Sequence, residues 1–433
     1  MNTPIYDFVN DYSNSNFSRL HMPGHKGKNY LGCEYADITE IKDADALFDA
    51  KGIIAESEKN ATELFGTLQT IYSAEGSTLC IKTMLALVRK YKKNNYIIAS
   101  RNSHKALIYG CSQLNMDIQW LWGDDDVFSL CRCKISEKTL YEKLNECDEL
   151  PCAVYVTSPD YLGGEIDIKS LAETAHKFGV PLLVDNAHGS YLHFLSDKRH
   201  PIDLGVDMCC DSAHKTLPVL TGGAYLHINN KEYVDKAKNA MEMFASTSPS
   251  YLILQSLDIC NSYIADGYKD KLHKCVEMVD KLKSYLADLG WKIEQSDPLK
   301  LTIMSYGLNL AEYLRKYNIE CEYEDPDYTV MMFTPENSID DYEKVKCAMK
   351  DCKPVNAFSE LKNMQPERIM TVTEAIFSPY EMVPVEKAVG RICASPSVGC
   401  PPAVPIVVAG EVISEKSVEI FKYYNVDSCL VVK

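Results

Sequence analysis

From residue 53 to residue 228 the chain alternates two patterns. Short apolar runs of roughly five residues are separated by longer stretches in which apolar side chains recur every three or four positions. The short runs predict strands at 70–74, 96–100, 118–122, 152–158, 181–185, near 208–210, and at 224–228. The periodic stretches predict helices at 53–65, from 76 onward, through 111, at 136–147 and at 166–178. Ile81, Met84, Leu85 and Val88 keep the spacing of one helical face, and Arg89, Lys90, Lys92 and Lys93 crowd its carboxyl end, as the macrodipole favours. Helices are further expected at 4–16, 231–244 and 269–288, with a smaller α+β region after them. Apolar strands separated by helices predict a largely parallel sheet covered on both faces. The expected division is an N-terminal arm and loop at 1–55, a large domain at 56–265 and a small α+β domain at 266–433.

Composition narrows the class. The chain has 433 residues, 46% hydrophobic and 24% charged, the balance of an ordinary globular protein. No apolar run approaches the ~20 residues of a membrane span, and the first residues lack a basic-then-apolar leader, so a cytoplasmic protein is expected. The formal charge of −16 argues against nucleic acid or an acidic membrane as partner and suits a small cationic substrate. Seventeen cysteines, odd in number and spread through apolar segments, fit core thiols in a reducing compartment. Cys131 and Cys133 form the only close pair with a spacer, and no second Cys/His pair stands at zinc-finger distance, so no metal site is expected.

In a parallel sheet, ligands bind beyond the carboxyl ends of the strands. Polar residues gather at those positions: Gly76-Ser77-Thr78, His104, Asp185 with His188, and Ser212 with His214 and Lys215. Gly76-Ser77-Thr78 reads equally as a phosphate cradle or an ordinary helix cap. The loop holding His21, His25 and Lys26 reads as an active-site loop or a solvated basic turn. Lys215 stands between apolar runs, where a bare ammonium is costly but an imine to an aldehyde cofactor is not. Pyridoxal phosphate needs an amine for its aldehyde, a carboxylate for its ring nitrogen, hydroxyls and a helix start for its phosphate, and a flat partner for its ring. Lys215, Asp185, the set Ser77, Thr78 and Ser212, and His104 supply these in turn. No G-x-G-x-x-G, P-loop or G-x-S-x-G pattern offers a competing reading.

These motifs, with His21-Met22-Pro23-Gly24-His25-Lys26-Gly27, Asp185-Asn186-Ala187-His188-Gly189, Asp211-Ser212-Ala213-His214-Lys215-Thr216 and Ser246-Thr247-Ser248-Pro249, resemble the Orn/Lys/Arg decarboxylase family over nearly the whole chain. The resemblance implies a fold-type-I pyridoxal-phosphate enzyme, aspartate-aminotransferase-like, with a seven-stranded sheet. It implies decarboxylation of arginine, lysine or ornithine to an amine of the polyamine pathways, in a cytoplasmic homodimer. Lys215 would hold the cofactor, Asp185 pair with its ring nitrogen, and His104 stack on its ring. Ser77, Thr78 and Ser212 would bind phosphate, and Ser246 would reach the neighbouring subunit's cofactor. His214 and His188 would line the site, with His214 as proton donor; both also read as structural support for the lysine. His25 and Lys26 would approach the substrate.

Three segments depart from the family pattern: Asp45-Ala46-Leu47, Thr373-Glu374-Ala375-Ile376-Phe377 and Cys400-Pro401-Pro402-Ala403. They leave the substrate open, with Glu374 as a candidate for its cationic end. The chain reads as a short form without the N-terminal wing of the large members, so a decamer is not expected. An aminotransferase, with Arg368 or Arg391 gripping a carboxylate, and a non-catalytic cofactor-binding protein are the alternative readings.

Overall fold

The computed structural model describes residues 1–89, 95–124, 129–305, 309–355, 361–395 and 403–433. Seven strands, β1 (Gln69–Ser73), β2 (Tyr96–Ser100), β3 (Asp117–Leu121), β4 (Val154–Thr157), β5 (Leu182–Asp185), β6 (Met208–Asp211) and β7 (Ala224–Ile228), form one sheet in the order β1-β7-β6-β5-β4-β2-β3. Pairing is parallel between β2 and β3, β2 and β4, and β5 and β6. Strand β7 runs antiparallel to both β6 and β1. The reversal follows from length. About a dozen residues join β6 to β7, the bare minimum for a crossover, and they hold a single helical turn, so the chain returns antiparallel.

The chain divides into two compact units, residues 1–88 with 181–271, and residues 89–180 with 272–433. The three-part division at 55 and 265 stays a separate expectation. In the first unit the helix Ile53–Phe65 ends at Gly66, whose φ of 62° is the left-handed stop its sequence signals. Asp45 supplies the other end: its carboxylate accepts from the backbone N–H groups of Lys51, Gly52 and Ile54 at 2.8–3.1 Å. That segment's departure from the family pattern therefore caps a helix start.

Two helical expectations change. The stretch 231–244 is two short helices, Lys231–Val234 and Ala237–Glu242. The helix Tyr251–Ala265 was not expected, because its buried face mixes Leu254, Leu257 and Ile264 with Gln255, Asp258 and Asn261 and so blurs the apolar period. The buried polar residues have work elsewhere. Asp258 accepts from the backbone of Ile5 and Tyr6 at the start of the helix Pro4–Asn14 and from Ser57. Asn261 donates to the Tyr72 hydroxyl at 2.6 Å.

In the second unit, β8 (Ile293–Glu294), β9 (Lys300–Met304), β10 (Tyr323–Glu324) and β11 (Tyr328–Met332) make an antiparallel sheet in the order β10-β11-β9-β8. β12 (Tyr380–Pro384) pairs with β13 (Ser428–Val432). Arg101, just past β2, lies 5.0 and 5.3 Å from the ring centres of Trp120 and Trp122 and 3.1 Å from the buried Glu411. The described cysteines are free thiols, and most are buried. Cys131 donates to the Tyr323 hydroxyl and Cys133 to the Leu121 carbonyl, so the close pair serves two separate contacts. Residues 396–402, which include the Pro401-Pro402 departure, lie outside the described residues.

Candidate active site

Strands β1, β5 and β6 of the first unit point the same way, so their carboxyl ends share one edge. Beyond β1 the chain turns through Gly76, at φ +71°, into the helix Gly76–Val88. The Gly76 N–H donates to the Gly222 carbonyl at 2.7 Å. Gly222 has φ +100°, and a Cβ there would stand 3.1 Å from the Ala74 carbonyl oxygen, so the turn after β1 and the turn before β7 close on each other only with glycine. Ser77 occupies that helix start, and Ser212, directly after β6, donates to its hydroxyl at 2.8 Å. Thr78 is exposed one residue on. Two linked hydroxyls at a helix amino terminus form an anion-binding arrangement.

Lys215 lies on the single helical turn Ala213–Thr216 that follows β6. Its Nζ is 3.0 Å from Nε2 of His188, a buried residue three positions past the end of β5. Asp185 ends β5 and is 3% exposed. Its Oδ1 accepts from the Ala187 backbone at 3.2 Å and from the Cys210 thiol at 3.6 Å. Burial, and then the Asp185 charge, push the Cys210 thiol well above its ordinary range and keep it a donor. His214 bonds through Nδ1 to the Gly223 carbonyl at 3.0 Å, which puts a proton on Nδ1. The first unit thus brings together Lys215, His188, His214, Asp185, Ser77 and Ser212.

The remaining predicted residues take other settings. Ser246 is exposed; its N–H donates to Glu75 at 2.7 Å, and its hydroxyl accepts from the Ser248 N–H at 3.2 Å. His25 accepts from the Gly27 N–H on Nδ1 and donates from Nε2 to Asp37 at 3.1 Å. Lys26 donates to the His21 carbonyl. In the second unit, His104 follows β2 and caps the helix Lys105–Gln113, its Nδ1 accepting from the Ala106 N–H at 3.1 Å. Glu374 closes a capping box with Thr371 at the start of the helix Val372–Phe377; these bonds to the Thr371 backbone and hydroxyl hold its carboxyl below the usual range.

Sequence reasoning passed over Asp211, His200, His227 and Asn186, which form a buried polar core in the first unit. Burial alone would raise the Asp211 carboxyl, but His200 and His227, both facing it, outweigh burial and hold the group well below its ordinary value. A signal was present: Asp211 and His227 are polar residues inside strand runs that are otherwise apolar and wholly buried.

The donor set joins an amine, a buried carboxylate and two hydroxyls at a helix start, which suits a phosphorylated ring bearing a carbonyl group. Comparison with known proteins agrees with the architecture. The constitutive lysine decarboxylase of Escherichia coli superimposes with a TM-score of 0.80 at 17% identity, covering 100% of this chain and 82% of that one, and the fold is that of the fold-type-I enzymes. The arginine decarboxylase of Bacillus subtilis is 28% identical over 100% of this chain and 95% of its own length. An uncharacterised Bacillus subtilis protein, YaaO, is 27% identical over 97% of this chain and 93% of its own. Residues 3–306 match the model of the Orn/Lys/Arg decarboxylase major domain and residues 354–429 that of the C-terminal domain. By these matches the chain belongs to the Orn/Lys/Arg decarboxylase family.

Proposed function

We propose that this protein is a pyridoxal-phosphate-dependent decarboxylase of a basic amino acid, with arginine the foremost substrate. The observation that carries the reading is the 3.0 Å contact of Lys215 with His188 on the strand edge that also bears Asp185 and the Ser77–Ser212 pair. Arginine comes first because relatives matching most of this chain bear the name arginine decarboxylase.

Each residue has a task the chemistry requires. Lys215 would hold the cofactor through its aldehyde. His188, whose Nε2 lies 3.0 Å from Nζ, would orient that amine. Asp185 would pair with the ring nitrogen and keep a proton on it, Ser77, Thr78 and Ser212 would hold the phosphate, and His104 would stack on the ring. Bound there, the cofactor would supply the electron sink that decarboxylation needs. His214, with its Nδ1 proton committed to Gly223, exchanges protons with Cα through Nε2. His25, Lys26 and Glu374 are candidates for the substrate's outer reach.

We further propose a cytoplasmic homodimer with shared sites, Ser246 reaching the neighbour's phosphate. The N-terminal segment exposes Phe17, Leu20, Tyr30 and Leu31, each by more than 70%, apolar surface that a second copy would cover. The aminotransferase reading loses ground, because Arg368 is spent on Asp117 and Arg391 on Glu381 and the Val432 carbonyl. The test is to supply the purified protein and cofactor with arginine, lysine and ornithine, measuring CO2, amine and 2-oxo acid. CO2 with a matching amine is expected; 2-oxo acid in place of CO2 would overturn the proposal. Lys215→Ala is expected to abolish both turnover and the visible absorbance of the lysine-bound cofactor, and an unchanged spectrum would remove Lys215 from its role.

A further inference from the structure

Behind the strand edge of the first unit lies the polar core that the proposed chemistry does not use. Asp211, the last residue of β6, is wholly buried. Its Oδ1 accepts from Asn186 Nδ2 at 2.7 Å, and its Oδ2 faces Nε2 of His200 at 3.0 Å and Nε2 of His227 at 3.2 Å. Neighbouring contacts fix the protons. His200 Nδ1 accepts from the Ile202 backbone N–H, so that nitrogen carries no hydrogen and Nε2 does. His227 Nδ1 lies 2.9 Å from the Thr70 hydroxyl, which donates to it while Nε2 donates to Asp211. Three neutral donors therefore converge on one carboxylate.

His200, Cys209 and Asp211 also bring ligand atoms within 4.8 Å of one another, a spacing that suits a metal ion. A metal would need the lone pair of His200 Nε2, and that is the nitrogen whose proton goes to Asp211. The hydrogen bonds account for both Asp211 oxygens.

We propose that Asp211 is a positioning residue, whose bond to Asn186 pins the turn after β5 to the turn after β6 and so fixes Asp185 relative to Ser212 and Lys215. Asn186 directly follows Asp185, and Ser212 directly follows Asp211. The last backbone bond between the strands runs from Asn186 N–H to the Cys210 carbonyl at 3.0 Å, and the Asn186–Asp211 side-chain bond carries the attachment one residue further. A site that grips one small molecule from two strands has to hold its groups within about half an ångström. Strand pairing alone needs no buried anion, and apolar side chains would fill the same space at less cost.

This inference rests on the proposed cofactor, and the experiment separates the two. Asp211→Asn removes the buried charge and, with its carbonyl held by the two imidazoles, puts an NH2 where Asn186 met an acceptor. Adding Asn186→Asp restores a donor and an acceptor at that contact with the net charge of the wild type. Pyridoxal phosphate is titrated into wild type, D211N, N186A and the N186D/D211N double variant, following visible absorbance and protein fluorescence. Wild type is expected to bind. D211N and N186A are expected to bind about ten- to a hundredfold more weakly, the usual loss for an outer partner of a site residue, with a shifted absorbance band. The double variant is expected to recover most of both. Wild-type affinity and spectrum in N186A, or a double variant no better than D211N, would overturn the positioning role alone. Failure of wild type to take up the cofactor would overturn the function and this inference together.

Discussion

Each unit buries an aspartate at or just past the carboxyl end of a strand, and the two solve the problem in opposite ways. Asp211 in the first unit has donors on both oxygens, two imidazoles and an amide, and stays ionised well below its ordinary 3.8. Asp160 in the second unit, three residues past β4, receives two backbone N–H groups, from Leu162 and Gly164, both on Oδ1. Arg132 and Lys300 are near enough to act on it, yet burial wins and pushes its pKa up to about 6. Lys300, itself 2% exposed, spends its ammonium on the Asp160 backbone carbonyl rather than on the carboxylate. Two imidazoles facing one oxygen and an amide on the other hold the Asp211 carboxylate low; backbone donors on a single oxygen, with the cations standing off, do not do so for Asp160.

The largest test of this contrast is Asp211→Ala, which strands three buried donors and is expected to cost about 3–5 kcal/mol in urea unfolding of the cofactor-free protein. A loss below about 1 kcal/mol would mean the donors find other partners and the contrast fails. The two aspartates also set opposite slopes against pH. Asp211, depressed in the folded state, gives stability that is present above about pH 4 and lost as pH falls below it. Asp160, raised in the folded state, gives stability that is full below about pH 4 and lost as pH rises through about 6. Asp160→Asn keeps the Oδ1 acceptor and removes the titration. Between pH 4 and 6.5, wild type is therefore expected to lose about 2–3 kcal/mol relative to that variant. A flat difference would place the proton elsewhere. Smallest is Asp45→Ala, which removes a carboxylate wired to backbone N–H groups in a half-exposed setting; about 1 kcal/mol is expected from the lost cap. A loss as large as that of Asp211→Ala would show that donor number matters and burial does not.

Local punctuation made much of the fold legible. The helix Ile53–Phe65 and the strands Tyr96–Ser100 and Ala224–Ile228 fall where the pattern puts them, because a glycine stop or a change of period is written within a few residues. The direction of β7 was not legible, since it depends on what the short connection from β6 can span. The helix Tyr251–Ala265 was hidden because Asp258 and Asn261 are buried for the sake of residues some 190 to 250 positions away. The site divides similarly. Lys215, Asp185, Ser212 and Ser77 stand beside glycines, hydroxyls and strand ends that announce themselves. Asp211 was passed over, because its meaning lies in His200, His227 and Asn186, which only the paired strands bring near.

The antiparallel β7 has a consequence in time. β1 has its pairing partner in β7, which the ribosome reaches roughly 150 residues later, about ten to thirty seconds at ordinary rates of synthesis. Through that interval Ile71 and Tyr72, wholly buried in the finished protein, have no strand to lie against. The first unit therefore closes from its late end, once Ala224–Ile228 emerges.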